Sequence, residues 1–207
     1  MTINRKELDK NIKMAVKKIK KIYGYSTRDM LLYKKNNEYL FVVSIFSTGV
    51  NNNLINIRGT IKPFFLDDVF WDVFKMAENS RKPIGLRANG AFSIRGLEVC
   101  NEYIQICDYE SVEKYVEELL VQCDTELLRI ENKYSCDFMK FIEYSKTVKK
   151  PGLYNHTLVE MLFYIKEHNY KKARNMAFYE LENGRYGYFK NKGKDIYEHI
   201  IDFCDSK

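Results

Sequence analysis

His156 and Glu160 stand four residues apart, one helical turn, so a helix through them sets an imidazole and a carboxylate on one face. That is half of a zinc site. No H-E-x-x-H and no second ligand pair accompanies them, so they read as surface side chains. The cysteines at 100, 107, 123, 136 and 204 are never closer than seven positions and form no C-x-x-C pair. Their spacing suits neither a structural zinc nor a thioredoxin-like redox couple, and free thiols are the simpler reading. Asp67, Asp68 and Asp72 cluster on one short helix, where two carboxylates a turn apart can share a cation. Asp67 as an N-cap, with Asp68 in the first turn, explains the first two without a metal.

The stretch most like a site is Gly85-Leu86-Arg87-Ala88-Asn89-Gly90 followed by Arg95-Gly96. Its glycines, the guanidinium groups of Arg87 and Arg95 and the amide of Asn89 are the parts of an anion receptor. The alternative is a surface loop whose arginines pair with nearby carboxylates. No G-x-G-x-x-G and no G-x-x-x-x-G-K-[ST] occurs, so the usual phosphate-cradling loops are missing. In and just before ELENGRYGYFKNKG, the residues Tyr179, Tyr186, Tyr188 and Phe189 fall around a turn between helices. They make an aromatic contact patch with Tyr186 and Tyr188 as its binding residues, core packing being the alternative. The sequence offers no catalytic residue, metal site or cofactor site.

The elements that must position these residues follow from periodicity. Leu8, Ile12, Ala15, Ile19 and Ile22 recur at helical steps, predicting a helix over 5–22 that Gly24 ends. Lysines cover the rest of it; a membrane-surface helix would carry large aromatics on its apolar face, and this one has few. Strands are predicted at Arg28–Lys34, Glu38–Thr48 and Leu54–Lys62, with a turn at Asn36-Asn37 and another over 49–53. The last strand alternates, with Ile55, Ile57 and Ile61 on a core face and Asn56, Arg58, Thr60 and Lys62 on a wet face. A short helix begins at Asp67. Ala91–Cys100 and Glu102–Asp108 are predicted as a further strand pair with a bulge at Gly96. Helical periodicity returns from Tyr109 to Tyr134 and again over 136–147. Beyond Lys149-Lys150-Pro151-Gly152 come three short helices, two of them capped by Asn155 and Asn169.

This order predicts an α+β fold: an antiparallel sheet of about five strands, helices on one face, and a helical C-terminal appendage. The boundaries are 1–148 for the α+β domain and 149–207 for the appendage. At 207 residues, about 70% of the chain's surface can be buried without a disulfide or metal staple. The formal charge is +6, but residues 1–24 carry eight Lys/Arg against two Asp/Glu, and residues 109–143 carry four against nine. A nucleic-acid-binding protein usually spreads a basic stripe over several elements; here an acidic block offsets the basic helix. No apolar run of about 18 residues predicts a membrane span. With no apolar leader and an odd, scattered set of cysteines, the chain reads as cytoplasmic; heavy use of Lys, Asn, Ile and Tyr points to an AT-rich bacterial genome.

Met30-Leu31-Leu32-Tyr33-Lys34-Lys35, Phe41 to Ser47 and Leu54-Ile55-Asn56-Ile57 carry a resemblance. Over roughly residues 5–125 the chain resembles a small bacterial domain-of-unknown-function family. In it an N-terminal helix precedes a tyrosine-bearing strand, a hairpin and a longer strand. Ser44-Ile45-Phe46-Ser47 stands where that family has a glutamine-plus-serine pattern, and no functional residue carries over. Such proteins occur among predicted immunity proteins beside secreted toxins. The resemblance therefore implies a non-enzymatic protein-interaction module, an immunity-like inhibitor whose partner is a protein. The alternative is a nucleic-acid- or anion-binding protein using the basic N-terminal helix with Arg58, Lys62, Arg87 and Arg95. Salt-dependent binding to generic nucleic acid separates the two.

Overall fold

The computed structural model describes residues 4–28, 31–49, 53–88 and 93–207. Helix α1 (Arg5–Ile19) starts at Asn4, whose side-chain oxygen accepts the N–H groups of Lys6 and Glu7. Leu8, Ile12, Ala15 and Ile19 form its buried stripe. The helix ends at Ile19, three residues short of the predicted limit, and Ile22 is 71% exposed. The reason is local. Gly24 takes φ +73, and the chain reverses with the Tyr25 N–H on the Lys20 carbonyl and the Gly24 N–H on the Lys21 carbonyl. That double bond pattern closes a helix end and turns the next side chain off the stripe.

Strands β1 (Ser26–Arg28), β2 (Leu31–Asn36), β3 (Tyr39–Thr48), β4 (Leu54–Pro63) and β5 (Leu97–Gln105) pair antiparallel, in the order β1-β2-β3-β4-β5. The stretch predicted as one strand, Arg28–Lys34, is a hairpin instead: Arg28 faces Leu31 across two paired strands, and residues 29–30 lie outside the described set. The β2–β3 turn falls at Asn37 (φ +46), one residue later than Asn36-Asn37 predicts, because Asn36 still pairs with Tyr39. In β4, Ile55, Ile57 and Ile61 are all buried on one face, Ile57 opposite Ile45 and Ile61 opposite Phe41. On the other face Arg58 is exposed as predicted, whereas Asn56 and Lys62 are buried.

The predicted strand pair over 91–108 is a single strand. Asn101 breaks nothing, since it pairs with Arg58 in mid-ladder. The bulge lies at Val99 and not at Gly96: Gly59 faces Cys100 while Thr60 faces Glu98, so Val99 is the extra residue. Residues 91–92 of that prediction lie outside the described set.

Between β4 and β5 run α2 (Leu66–Val73), a 3-10 turn (Ala77–Arg81) and α3 (Ile84–Ala88). After β5 comes α4 (Val112–Tyr134), packed with α1 over the isoleucine face. Gly59 is where α4 comes closest: a Cβ there would stand 2.2 Å from the Cys123 Sγ. The two charged blocks of the sequence meet in this layer. Lys18 of α1 pairs with Glu113 of α4, and the Tyr23 hydroxyl donates to Glu117 at 2.9 Å. Deeper in, Asp124 accepts from Lys34 at 2.6 Å and from the Tyr25 hydroxyl at 2.7 Å.

The chain continues through α5 (Phe138–Thr147), α6 (His156–Lys166), α7 (Tyr170–Glu182), a short hairpin of β6 (Lys190–Asn191) and β7 (Lys194–Asp195), and α8 (Ile196–Asp205). Asn155 and Asn169 cap α6 and α7 as predicted, accepting from Leu158 and Lys172. Helices α6 and α8 pack on α2, and their buried residues belong to the same apolar cluster as the sheet. The class is α+β. Among the described residues no helix is long and apolar enough to cross a membrane.

Candidate functional site

The side chains that could do chemistry fall in three places. The first is the end of the sheet under α2. Lys62 leaves β4 on the face away from α4 and is almost completely buried. Its ammonium reaches both Asp67 oxygens at 2.8 and 3.0 Å, the Arg87 carbonyl at 3.1 Å, Ser93 Oγ at 3.2 Å and the Ile94 carbonyl at 3.3 Å. Burial pulls Lys62 below the usual ammonium range and pushes Asp67 above the usual carboxyl range, and each charge opposes the other's shift. Asp67 is therefore not an N-cap. Phe65 holds that position without a side-chain bond, and the Asp67 carboxylate turns inward to meet Lys62.

Arg87 belongs to the same cluster. It is 6% exposed; its guanidinium donates to Asp68 at 2.8 Å and to the Ser80 carbonyl at 2.6 Å. The rings of Phe64 and Trp71 lie 4.5 and 4.6 Å from its guanidinium carbon. The planar cation is thus wedged between aromatic faces, and its charge is matched by Asp68. Asn89 lies outside the described residues. Arg95 is exposed and lines a cleft of about 680 Å³ on this sheet face, together with Ser44, Arg58, Thr60, Lys62 and Arg87. Arg58 leans to 4.0 Å from Glu98. The sequence-chosen arginines Arg87 and Arg95 therefore line one cleft, together with Arg58 and Lys62; Arg87 is held there as a strut and Arg95 faces solvent.

The second place is the thiol pair. Cys100 on β5 and Cys123 on α4 meet above Gly59. The two thiols interact so that Cys100 is held below the ordinary thiol range and Cys123 above it, where burial adds to the rise. The His156–Glu160 pair is no more reactive. Glu160 already binds Lys146 at 3.1 Å and the Tyr164 hydroxyl at 3.2 Å. Among the described residues no group of three or more His, Cys, Asp or Glu side chains is placed to hold a metal.

The third place is the turn between α7 and α8. Tyr188 is 91% exposed and takes φ +64; Tyr186 and Tyr179 are each 58% exposed. Beneath them the backbone is fixed. Asp195 caps α8 with a full capping box: it accepts from the Tyr197 N–H at 3.0 Å, and Glu198 accepts the Asp195 N–H at 2.6 Å. The same Asp195 oxygen takes the Gly187 N–H at 3.0 Å. A Cβ at Gly187 would stand 2.1 Å from Ile196 Cγ2, so only glycine lets this segment lie so close to α8. Phe189 turns inward, its ring 5.0 Å from that of Phe70. Asn191 donates to the Phe74 carbonyl at 2.7 Å, and its own carbonyl meets His199 Nε2 at 3.0 Å. Of the predicted patch, Phe189 is half-buried against the core, and Tyr179, Tyr186 and Tyr188 are surface. The sequence reading missed the neighbouring Phe178, which is also exposed, and the Asp195 anchor. The anchor was readable in Asp195-Ile196-Tyr197-Glu198, whose ends have capping-box spacing.

A shallow groove of about 500 Å³ runs along α7 from Asn169 and Lys171 to Met176 and Tyr179. Arg185 lies over the Tyr179 ring at 5.4 Å and is neutralised by Glu180 at 3.1 Å. No family model, curated protein or solved structure matches the chain.

Proposed function

We propose that this chain is a non-enzymatic protein-binding module, an immunity-like inhibitor, and that the turn carrying Tyr186 and Tyr188 touches the partner. The observation that carries this is Tyr188. A left-handed backbone conformation costs a side-chain-bearing residue about 1 kcal/mol or more, and glycine or asparagine would fill it more cheaply. Tyr188 gives the fold little in return, since its side chain is 91% exposed. A residue that strains the backbone and leaves an aromatic ring in water is accounted for when the ring is buried by something else. The backbone under it is rigid, so ordering the contact costs little entropy on binding. Elsewhere the converging polar groups, Lys62 with Asp67 and Lys34 with Asp124, close on each other inside the fold.

The reading is tested by placing a photo-crosslinking amino acid at Tyr186 or Tyr188 in the native cell, with Lys114 on the outer side of α4 as the control position. A discrete protein adduct from the turn and none from Lys114 is the expected result. Adducts to nucleic acid, or no adduct from the turn, overturn it.

A further inference from the structure

We infer that the partner meets this turn and the α7 groove with an acidic segment, a stretch of chain bearing Asp or Glu beside an apolar residue. The inference rests on the protein-binding reading above. Its basis is the charge balance of the surface around the tyrosines. From Tyr170 to Lys194 the chain carries Lys171, Lys172, Arg174, Arg185, Lys190, Lys192 and Lys194 against Glu180 and Glu182. Three of these cations have carboxylate partners: Arg174 on Asp205, Arg185 on Glu180 and Lys194 on Asp202. Lys171, Lys190 and Lys192 are exposed and, among the described residues, meet no carboxylate.

Their placement is set by the fold. Lys192 occupies the tip of the β6–β7 hairpin with φ +50, beside Gly193 at φ +81, a turn in which two successive positive φ angles reverse the chain in two residues. Lys190 is the first residue of β6 and follows the anchored Phe189, two positions after Tyr188 in the chain. At the start of α7, Lys171 lines the groove with Met176 and the Tyr179 ring. Along the chain, lysines thus bracket the aromatic and apolar strip of Met176, Tyr179, Tyr186 and Tyr188. A ligand that fills the strip must put apolar atoms at its middle and negative charge at its ends.

A single nucleic-acid strand also carries negative charge and flat rings, but it needs a run of open aromatic faces on which to stack. Here one face of the Tyr179 ring is already taken by Arg185, and Lys172 is tied to the Tyr164 hydroxyl at 2.7 Å and lies over the Tyr164 ring. The open rings of Tyr186 and Tyr188 flank the buried Gly187, and tyrosines so placed act as amphipathic anchors for a protein surface.

The test pans random twelve-residue peptides displayed on phage against the full chain. Enriched peptides are then measured by fluorescence anisotropy alongside a single-stranded twelve-nucleotide DNA. Enriched peptides are expected to carry a net charge of about −3 or below, with a Leu or aromatic residue near the middle. Their affinity is expected to fall at least about tenfold in K190E/K192E and in Y186A/Y188A, variants whose unfolding curves are recorded as a check that the fold persists. Enriched peptides that are neutral or basic, yet still lose binding in Y186A/Y188A, overturn the acidic partner and leave the protein-binding reading standing. DNA binding tighter than any peptide and lost in the same variants overturns both. Failure of any peptide to enrich above an uncoated surface overturns the inference, while the crosslinking experiment decides the broader reading separately.

Discussion

The Lys62 ammonium lies 2.8 Å from the Asp67 carboxylate, and both side chains are shut away from water. The pair ties β4 to α2, and through the Arg87 and Ile94 carbonyls it also holds the segment that leads into β5. Removing one member of such a pair leaves a buried charge without its counter-ion, a loss of about 3–5 kcal/mol. Asp67→Ala is expected to destabilise by that amount in urea unfolding. A K62M/D67L double variant is expected to lose far less than the two single changes summed, because no charge is stranded. Additive losses would show that the two groups do not act as a pair.

Gly59 is the point where the sheet has no room for a side chain. A methyl group there would overlap Cys123 Sγ, 2.2 Å away, and would press on the Cys100 Cβ at 3.2 Å. Gly59→Ala therefore has to lift α4 or turn Cys123 out of place, at a cost of about 1–3 kcal/mol. Cys123→Ala removes the sulfur and is expected to recover part of that loss in the double variant, read as a coupling energy in denaturant unfolding. No recovery would place the obstruction in the backbone.

The sequence made legible whatever was decided locally. The stripe Leu8, Ile12, Ala15 and Ile19, the alternation of Ile55, Ile57 and Ile61, and the caps Asn155 and Asn169 rest on neighbours a few positions away, and the structure has them as read. What failed depended on distant partners. Lys62 had the period of a wet-face residue, and only the arrival of Asp67 and Ser93 makes its burial affordable. Asp67 had the look of a cap for the same reason. The hairpin at Arg28–Leu31 and the bulge at Val99 are matters of register, set by which strand lies alongside. At the aromatic turn the composition was legible, but which ring points inward was not: Phe189 meets Phe70, more than a hundred positions away in the chain, whereas the Tyr188 ring, among the described residues, packs against no other ring.

Acid should loosen the helix starts before the core. Asp137 caps α5 by accepting the Lys140 N–H, and this bond holds its carboxyl below the ordinary range; Asp108 is lowered likewise by the Ser111 N–H. A carboxyl lowered in the folded state contributes stability above its unfolded pKa of about 3.9, and that contribution disappears as the pH falls through the folded value. Asp137→Asn keeps a capping oxygen but cannot titrate. Melting temperatures between pH 2 and pH 6 are expected to show a shallower acid fall for Asp137→Asn than for the parent. Parallel curves would mean that this cap carries no pH dependence.

Asp195 is expected to govern the aromatic turn as much as α8. Its side-chain oxygen accepts from both Tyr197 and Gly187, joining the helix start to the loop that displays the tyrosines. Asp195→Ala removes the cap, a loss of about 1–2 kcal/mol, and also frees the Gly187 N–H. Amide exchange is expected to quicken at Gly187 as well as in the first turn of α8. Faster exchange in α8 alone would show that the turn is held by Phe189 and Asn191 without Asp195.

Tyr188 separates stability from contact. Its φ of +64 suits asparagine, whose short side chain tolerates the left-handed region, and its ring is 91% exposed, so folding loses little when the ring goes. Tyr188→Asn should therefore leave the unfolding free energy unchanged or raise it by up to about 1 kcal/mol, while weakening binding of the partner identified by crosslinking by at least about tenfold, the usual mark of a buried interface aromatic. Tyr39, fully enclosed and stacked edge-on against Phe141 at 5.3 Å, supplies the contrast: Tyr39→Asn should cost about 3 kcal/mol or more through the cavity and the unsupported polar group it leaves. A Tyr188→Asn chain that unfolds more readily than the parent would mean that the residue is kept for the fold, and the reason for placing a tyrosine in that strained position would have to be sought inside the molecule.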